Sequence, residues 1–315
     1  MNHSLYLDPP LDDDARRLRL FEGQLLVFAP RPTTLALVSF ARDLIEQAFG
    51  GRDPRTAQHD MPVEAYAALL QELKPRFIHH PESKRLLRAL LEDLKCDLDK
   101  TYFDLPRMRS STSNGYLTTG IAYAWHPHRD TWYSAPSCQL NWWTPIYELT
   151  ADNTMAFHPQ YFTRAVKNDS SGYNYYEWNQ THRGTHVSQF IKTDPRPLPK
   201  ALETMELDPQ LRLVVPVGSL VLFSGAQMHS SVPNTSGVTR FSIDFRTVNT
   251  DDLESRRGAP NVDSACTGTT MRDYLRGSDL SRVPEHLIAA YDDGTAGKGR
   301  ELYVPGLEKL NELPQ

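Results

Sequence analysis

The sequence has no long apolar run, few cysteines and no excess of basic charge. No run reaches the ~20 apolar residues that a transmembrane helix needs, so no membrane span is expected. A net charge of −5 gives no indication of a nucleic-acid partner. Cys96, Cys138 and Cys266 lack metal-type spacing and predict reduced thiols in a cytoplasm. The N-terminus has no basic segment followed by an apolar core, so no secretory signal is expected.

The first hundred residues show helical patterns. The chain has 315 residues, enough for a large buried core in a single domain, and we predict one domain over 1–315. Within 82–98, leucines recur at helical spacing and predict a packed apolar face. Residues 1–100 are therefore predicted to form a helical layer that supports a sheet. The predicted elements are a strand at 25–28 and helices at 33–49, 62–73 and 82–98.

From Thr101 onward, short β-like runs alternate with turns. This pattern favours a mainly β fold with flanking helices, built as an antiparallel sandwich or jelly roll over 101–250. Residues 160–200 interrupt the strands and predict a lid insertion. Residues 251–315 predict a C-terminal extension with a helix at 283–291, which either wraps the barrel or forms an oligomer contact. The predicted strands lie at 117–124, 139–147, 154–158, 211–217, 219–224 and 240–248.

A His-x-Asp pair and a distant histidine supply two imidazoles and one carboxylate. His128 and Asp130 would share one face of a strand, with Arg129 on the other face. His229 follows a later predicted strand and completes the set. Two histidines and one carboxylate form the facial triad of non-haem Fe(II) oxygenases, which leaves coordination positions open. The three residues are our candidate metal ligands and catalytic residues.

A carboxylate-binding pair follows His229. Residues 240–246 alternate between polar and apolar types, which predicts a strand with one polar face and one packed face. Arg240 and Ser242 share the polar face. A guanidinium group beside a hydroxyl suits a terminal carboxylate. Arg246 lies further along the same strand and is the weaker candidate.

These motifs together resemble the Fe(II)/2-oxoglutarate-dependent dioxygenases, most closely their phytanoyl-CoA dioxygenase-like branch. The resemblance covers about residues 100–250 and depends on His128-Arg129-Asp130, the stretch 217–225 leading to His229, and Arg240-Phe241-Ser242. It implies a double-stranded β-helix of the cupin type that uses Fe(II), 2-oxoglutarate and O2. It further implies hydroxylation or desaturation of a small molecule in specialised metabolism. Because Asp130 fills the position that related halogenases leave vacant for chloride, halogenation is less favoured.

Other polar and aromatic residues surround these motifs. Gln139 and Asn141 alternate on one strand face and either bind the 2-oxoglutarate carboxylate or make cross-strand bonds. His126, His158 and His186 are alternative ligands or ordinary polar residues; at 153–159 the family pattern's Gly and Ser are missing, which leaves His158 without an implied role. Aromatic residues near the site either line a substrate pocket or pack in the core. The substrate candidates are Trp132, Tyr133, Tyr175, Trp178 and Arg183.

The sequence is compatible with two other functions. The chain could be a non-catalytic cupin-like protein that binds a metal or ligand, or a cupin enzyme that does not use 2-oxoglutarate. Neither needs the carboxylate clamp that Arg240 and Ser242 predict, so this pair discriminates between the hypotheses. The sequence does not identify the substrate, the carbon attacked or the oligomeric state.

Overall fold

The computed structural model describes residues 5–121, 126–182 and 187–292. Helices precede most of the strands along the chain. The helices are α1 (Asp13–Phe21), α2 (Pro32–Phe49), α3 (Val63–His79), α4 (Pro81–Asp93), α5 (Tyr175–Thr181), α6 (Thr250–Ser255) and α7 (Glu285–Ala289). The strands are β1 (Leu5–Leu7), β2 (Leu25–Phe28), β3 (Thr101–Phe103), β4 (Arg107–Ser111), β5 (Leu140–Pro145), β6 (Met155–Phe157), β7 (Leu211–Leu213), β8 (Leu220–Ser224), β9 (His229–Ser231), β10 (Arg240–Asn249) and β11 (Leu275–Arg276).

Local sequence explains where the main helices begin and end. Helix α2 starts at Pro32, whose fixed φ suits the first turn, and stops at Gly50, which adopts a left-handed φ of 59°. In α4, Leu86, Leu87 and Leu90 lie on the buried face. Helices α1 to α4 pack with one face of the larger sheet in a single apolar core. This layer supports the sheet from behind, as the leucine spacing predicts.

The larger sheet has eight strands in the order β1-β2-β8-β5-β10-β3-β11, with β4 also paired to β10. Strand β10 is central because it pairs antiparallel with β3, β4 and β5. Its apolar residues Phe241, Ile243 and Phe245 are buried in the core shared with the helices. The polar residues that alternate with them face the opposite side, where a cavity lies.

The smaller sheet has three strands in the order β7-β6-β9. Its Met155 and Phe157 pack against Trp143 and Phe223 of the larger sheet. The cavity lies beside this contact, so residues from both sheets line it. Two facing sheets therefore place polar side chains from distant parts of the chain around one space.

The architecture agrees with the sequence in its main features. A sheet-rich fold with flanking helices is confirmed, whereas a double-stranded β-helix and the proposed domain boundaries stay predictions. The strand predicted at 117–124 is wrong for 117–121, which contain no strand, and 122–124 lie outside the described residues. No helix in the described part of the chain is both long and apolar enough to cross a membrane.

Candidate metal centre and its cavity

His128, Asp130 and His229 converge at one end of the cavity. One potential ligand atom from each residue lies within 4.8 Å of the other two. Asp130 Oδ1 is 3.6 Å from His128 Nε2 and 3.9 Å from His229 Nε2. All three side chains are buried. The donor set is therefore two imidazole nitrogens and one carboxylate oxygen, the combination that suits a non-haem Fe(II) centre.

Backbone pairing brings the two histidines together. His128 and His229 form an isolated antiparallel bridge, in which each amide N–H donates to the other residue's carbonyl at 3.0 Å. The expectation that His128 and Asp130 lie on one regular strand is wrong, because Asp130 opens a 3-10 turn at Asp130–Tyr133. The turn still directs the carboxylate toward both imidazoles. Arg129 points away and donates to the carbonyls of Tyr161 and Ala226.

The backbone also fixes which imidazole nitrogens face the centre. His128 Nδ1 is 2.7 Å from the His126 carbonyl oxygen, and His229 Nδ1 is 2.9 Å from the Gln227 carbonyl oxygen. Carbonyl oxygens only accept, so each Nδ1 carries the proton and each Nε2 presents a lone pair. Burial lowers the pKa of His229 to about 4, and the charge of His128 acts in the same direction. His229 is therefore neutral near pH 7, as a metal ligand must be.

The second oxygen of Asp130 is held by amides. Asp130 Oδ2 accepts from Gln139 Nε2 at 3.0 Å and from Asn141 Nδ2 at 2.9 Å. Gln139 and Asn141 therefore bond to Asp130, as the cross-strand alternative allows, and their predicted contact with 2-oxoglutarate stays a prediction. Tyr274 in turn donates to Gln139 Oε1 at 2.6 Å. Burial would raise the pKa of Asp130, but the two neighbouring histidines and the hydrogen bond from Asn141 outweigh it and lower the pKa to about 2.

Strand β10 lines the cavity with alternating polar side chains. The cavity has a volume of about 430 Å³ and contains the candidate metal ligands in its wall. Arg240, Ser242, Asp244 and Arg246 reach it from successive positions on the same face of β10. The polar face predicted for this strand is thus the face that lines the cavity. The cavity volume of about 430 Å³ is within the range of small-molecule sites.

Arg240 and Ser242 carry unsatisfied polar atoms. Arg240 is buried and donates to the Asn153 carbonyl and the Ser231 hydroxyl, each at 3.2 Å. Its Nε and Ser242 Oγ have no hydrogen-bond partner among the described residues, and no carboxylate there forms an ion pair with Arg240. Burial lowers the pKa of Arg240 to about 10, although Asp244 opposes this. Buried donors without partners are costly, and an incoming carboxylate would satisfy them.

Arg246 is occupied by other acidic groups. Its Nη1 lies 3.2 Å from Asp104 Oδ2 and 3.3 Å from Asp244 Oδ2. Its Nε lies 3.4 Å from Asp130 Oδ2. Arg246 therefore connects the metal carboxylate to a buried ion-pair network, while Arg240 has the unused donor.

Aromatic residues outside the strands also line the cavity. Tyr133, Tyr173, Tyr175 and Trp178, here called the aromatic wall, all line the cavity. Three of them belong to the segment predicted as a lid, so that segment contributes to the cavity. The Tyr133 ring lies edge-on to His128, with ring centroids 5.5 Å apart.

Trp132 and Arg183 were also predicted to contact the substrate. Trp132 is fully buried and is not among the residues that line the cavity, and its indole N–H donates to Asp263 at 2.7 Å, so its role in substrate binding stays a prediction. Arg183 lies outside the described residues, as does His186. His158 is buried at 3.1 Å from Ser230 Oγ and is not part of the metal cluster.

Three basic residues of the cavity were not predicted from the sequence, namely Arg107 and Arg109 of β4 and Lys74 of α3. Strand β4 was not predicted, although Arg107 and Arg109 alternate there with the buried residues Met108 and Ser110, and all four line the cavity. That alternation was the available signal. Lys74 also lines the cavity, but it lies in a helix whose spacing indicates only packing.

The known proteins to which this chain is structurally similar share little sequence identity with it. No protein-family model and no curated protein matches the chain. Among solved structures, the chain is similar to the non-heme alpha ketoglutarate dependent epimerase SnoN from nogalamycin biosynthesis (14% identity, 75% of this chain and 84% of that chain, TM-score 0.36). It is also similar to EvdO2 from Micromonospora carbonacea var. aurantiaca complexed with 2-oxoglutarate (13%, 76% and 92%, TM-score 0.44). A third is the non-heme monooxygenase ThoJ (13%, 69% of each chain, TM-score 0.34).

All three similarities have TM-scores below 0.5 and identities below 15%. The assignment of function therefore rests on the side chains of the cavity.

Proposed function

We propose that this chain is an Fe(II)/2-oxoglutarate-dependent oxygenase that oxidises a small molecule by hydroxylation or desaturation. The observation that carries the proposal is the pairing of two features in one cavity. The first is a buried His-Asp-His cluster whose Nε2 and Oδ1 atoms face one another. The second is a buried arginine beside a serine hydroxyl, both with unsatisfied donors. A metal cluster alone would fit many proteins, whereas the added clamp fits a dicarboxylate co-substrate.

The residues present fit these groups. His128, Asp130 and His229 would hold Fe(II) through borderline nitrogen donors and a hard oxygen donor. Arg240 and Ser242 would hold the distal carboxylate of 2-oxoglutarate. When bound, the iron with 2-oxoglutarate and O2 supplies an oxidant strong enough for an unactivated C–H bond.

The protein's own part is to position and to exclude water. Gln139 and Asn141 fix the orientation of Asp130 by bonding Oδ2, which leaves Oδ1 for the metal. The aromatic wall supplies an apolar surface for the substrate beside His128. Tyr133 donates its hydroxyl proton to the Pro199 carbonyl at 2.9 Å, so its ring is held in place at the cavity. Such fixed groups keep a substrate near the metal and limit access of bulk water.

The test is succinate formation from 2-oxoglutarate with added Fe(II) and O2, measured without and then with candidate substrates. We expect wild-type protein to form succinate and His229→Ala to lose both iron and turnover. Arg240→Ala should keep iron but bind 2-oxoglutarate more weakly, by roughly 2–5 kcal/mol if the carboxylate stays buried. Arg85→Ala, an exposed arginine on α4, is the matched control.

The outcomes separate the competing functions. Iron binding without any consumption of 2-oxoglutarate would support the non-catalytic cupin-like alternative. Equal iron occupancy in His229→Ala would contradict the metal assignment. An unchanged Michaelis constant for 2-oxoglutarate in Arg240→Ala would contradict the clamp.

A further inference from the structure

Besides Arg240, the cavity wall contains a second cationic side chain, Lys74 of α3. Lys74 lines the same cavity as the candidate metal ligands. Its ammonium donates to the Ile121 carbonyl. Within the described ranges, no carboxylate lies in ion-pair distance of it, and an ammonium group has three donors. Lys74 is thus a cavity cation that has no direct ion pair with an acidic side chain in the part of the chain that the structure describes.

The acidic residues of the cavity are engaged elsewhere. Asp104 pairs with Arg107 and Arg246. Asp244 pairs with Arg109 through Nε at 2.6 Å and Nη2 at 3.2 Å. Asp130 faces the two histidines. Asp273, which also lines the cavity, accepts from the Tyr175 hydroxyl at 2.7 Å. Among the described residues, Arg240 and Lys74 are therefore the cationic side chains of the cavity wall that form no ion pair with a carboxylate.

The electrostatic surroundings of Lys74 favour an incoming anion. Burial lowers the pKa of Lys74 to about 7, and the charge of Arg109 lowers it further while Asp244 opposes the shift. The charged form of this lysine is therefore costly as the protein stands. An anion beside it would offset that cost, because an opposite charge nearby favours the ammonium form.

We propose that Lys74, in the positive field of Arg109, binds a carboxylate or phosphate group of the substrate that is oxidised. This inference rests on the proposed function, in which Arg240 and Ser242 are taken by the co-substrate. The substrate is then a small organic acid or phosphate ester. Its anion lies at Lys74, and its body packs on the aromatic wall beside the metal.

The test uses simple anions with an apolar body as probes. Binding of benzoate, phenyl phosphate and the neutral benzamide is measured by calorimetry on protein loaded with redox-inert Mn(II) and 2-oxoglutarate. We expect one or both anions to bind more tightly than benzamide. Lys74→Met should weaken anion binding by at least about 10-fold, which is roughly 1.4 kcal/mol, whereas Lys74→Arg should retain most of it. Benzamide binding should not change in either variant.

Controls separate this site from the co-substrate site and from unfolding. Lys100→Met removes a lysine charge outside the cavity lining and should leave anion binding unchanged. Lys74→Met should keep wild-type affinity for 2-oxoglutarate, and thermal unfolding checks that it is folded. The relative affinity of phenyl phosphate and benzoate, with competition by inorganic phosphate, distinguishes a phosphate ester from an acid.

Three results would overturn the inference. The first is an anion affinity that is the same in Lys74→Met and in wild type. The second is binding of the anions that is no tighter than binding of benzamide. The third is loss of 2-oxoglutarate binding in Lys74→Met while Arg240→Ala retains it. A different result identifies failure of the proposed function instead. In that case, wild-type protein binds the anions through Lys74 but binds no 2-oxoglutarate.

Discussion

At the scale of single residues, the two oxygens of Asp130 have separate partners. Oδ1 faces the histidine Nε2 atoms, and Oδ2 accepts from two amide groups. A carboxylate held in this way cannot rotate without breaking hydrogen bonds. The amides therefore act on the metal through Asp130, as positioning residues.

This arrangement predicts the effect of removing one amide. Asn141→Leu should weaken metal binding about 10-fold to 100-fold, because loss of a hydrogen bond to a ligating carboxylate has effects of that order. The measurement is competition between the protein and a chelator for Mn(II). Asn261→Leu, at an exposed position, is the control. An unchanged Mn(II) affinity in Asn141→Leu would show that Oδ2 has no part in orienting the ligand.

Lys74 gives a prediction about pH. Its pKa in the folded protein is lowered to about 7, below the value of ~10.4 for an unperturbed lysine, so between these values the unfolded chain binds more protons. Lys74 therefore lowers the free energy of unfolding near pH 7, and this cost disappears as the pH rises toward 10. Lys74→Met should raise the unfolding midpoint of the unliganded protein at pH 7, with a smaller gain at pH 10. A gain that is equal at both pH values would contradict the shift.

The sequence predicted correctly which three residues form the candidate metal cluster, because that prediction depended on residue types and not on the local backbone conformation. His128, Asp130 and His229 meet because their backbone bridge and turn converge, even though the expected strand is a 3-10 turn. Trp132 was predicted as a substrate residue because it is aromatic and close to the ligands in sequence, and it lies in the 3-10 turn outside the cavity lining. Closeness in sequence does not reveal which side chains of a turn face a cavity.

At the scale of elements, strand β10 was the most predictable part of the site. Its strict alternation sends Phe241 and Ile243 to the core and Arg240 and Ser242 to the cavity. Strand β4 has a similar alternation over only five residues, preceded by a proline, and it was not predicted. Short strands paired with distant partners give little local signal, because their stability comes from cross-strand contacts.

The aromatic wall depends on the short helix α5. Asn174 caps this helix by accepting from the amides of Tyr176 and Glu177, both at 3.0 Å. A side-chain cap of this type contributes about 1 kcal/mol. Asn174→Ala should therefore speed amide hydrogen exchange across α5 by roughly 5-fold, if the helix opens locally. Mn(II) affinity should stay unchanged, because no metal ligand lies in this segment.

Hydrogen exchange with mass spectrometry gives the comparison peptide by peptide. Exchange in α2 serves as the internal control, since that helix is distant from α5 in the sequence and packs in the main core. Protection of α5 that is the same in Asn174→Ala and wild type would mean that packing of Tyr175 and Tyr176, rather than the cap, holds the segment.

At the scale of the whole molecule, the proposed ligands connect the two sheets. His229 begins β9 in the smaller sheet, whereas Arg240 begins β10 in the larger sheet. In the described structure, Arg240 already donates to Ser231 of β9, which brings the ends of these strands together. A metal at the histidines and a dicarboxylate reaching Arg240 would add a second connection across the same gap. Ligand binding should consequently stabilise the entire fold and not just the cavity.

This linkage predicts stepwise stabilisation. A ligand at 100 times its dissociation constant stabilises the folded state by about 2.7 kcal/mol if it does not bind the unfolded chain. For a chain of 315 residues, each kcal/mol corresponds to a rise of roughly 1.5 °C in the unfolding midpoint. Mn(II) should produce one rise and 2-oxoglutarate a second rise that requires the metal, and a chelator should reverse both. Arg240→Ala should keep the first rise and lose most of the second, while His229→Ala should lose both. If 2-oxoglutarate stabilises metal-free protein as much as loaded protein, its carboxylates bind away from the triad, and the two sheets are not connected through the metal.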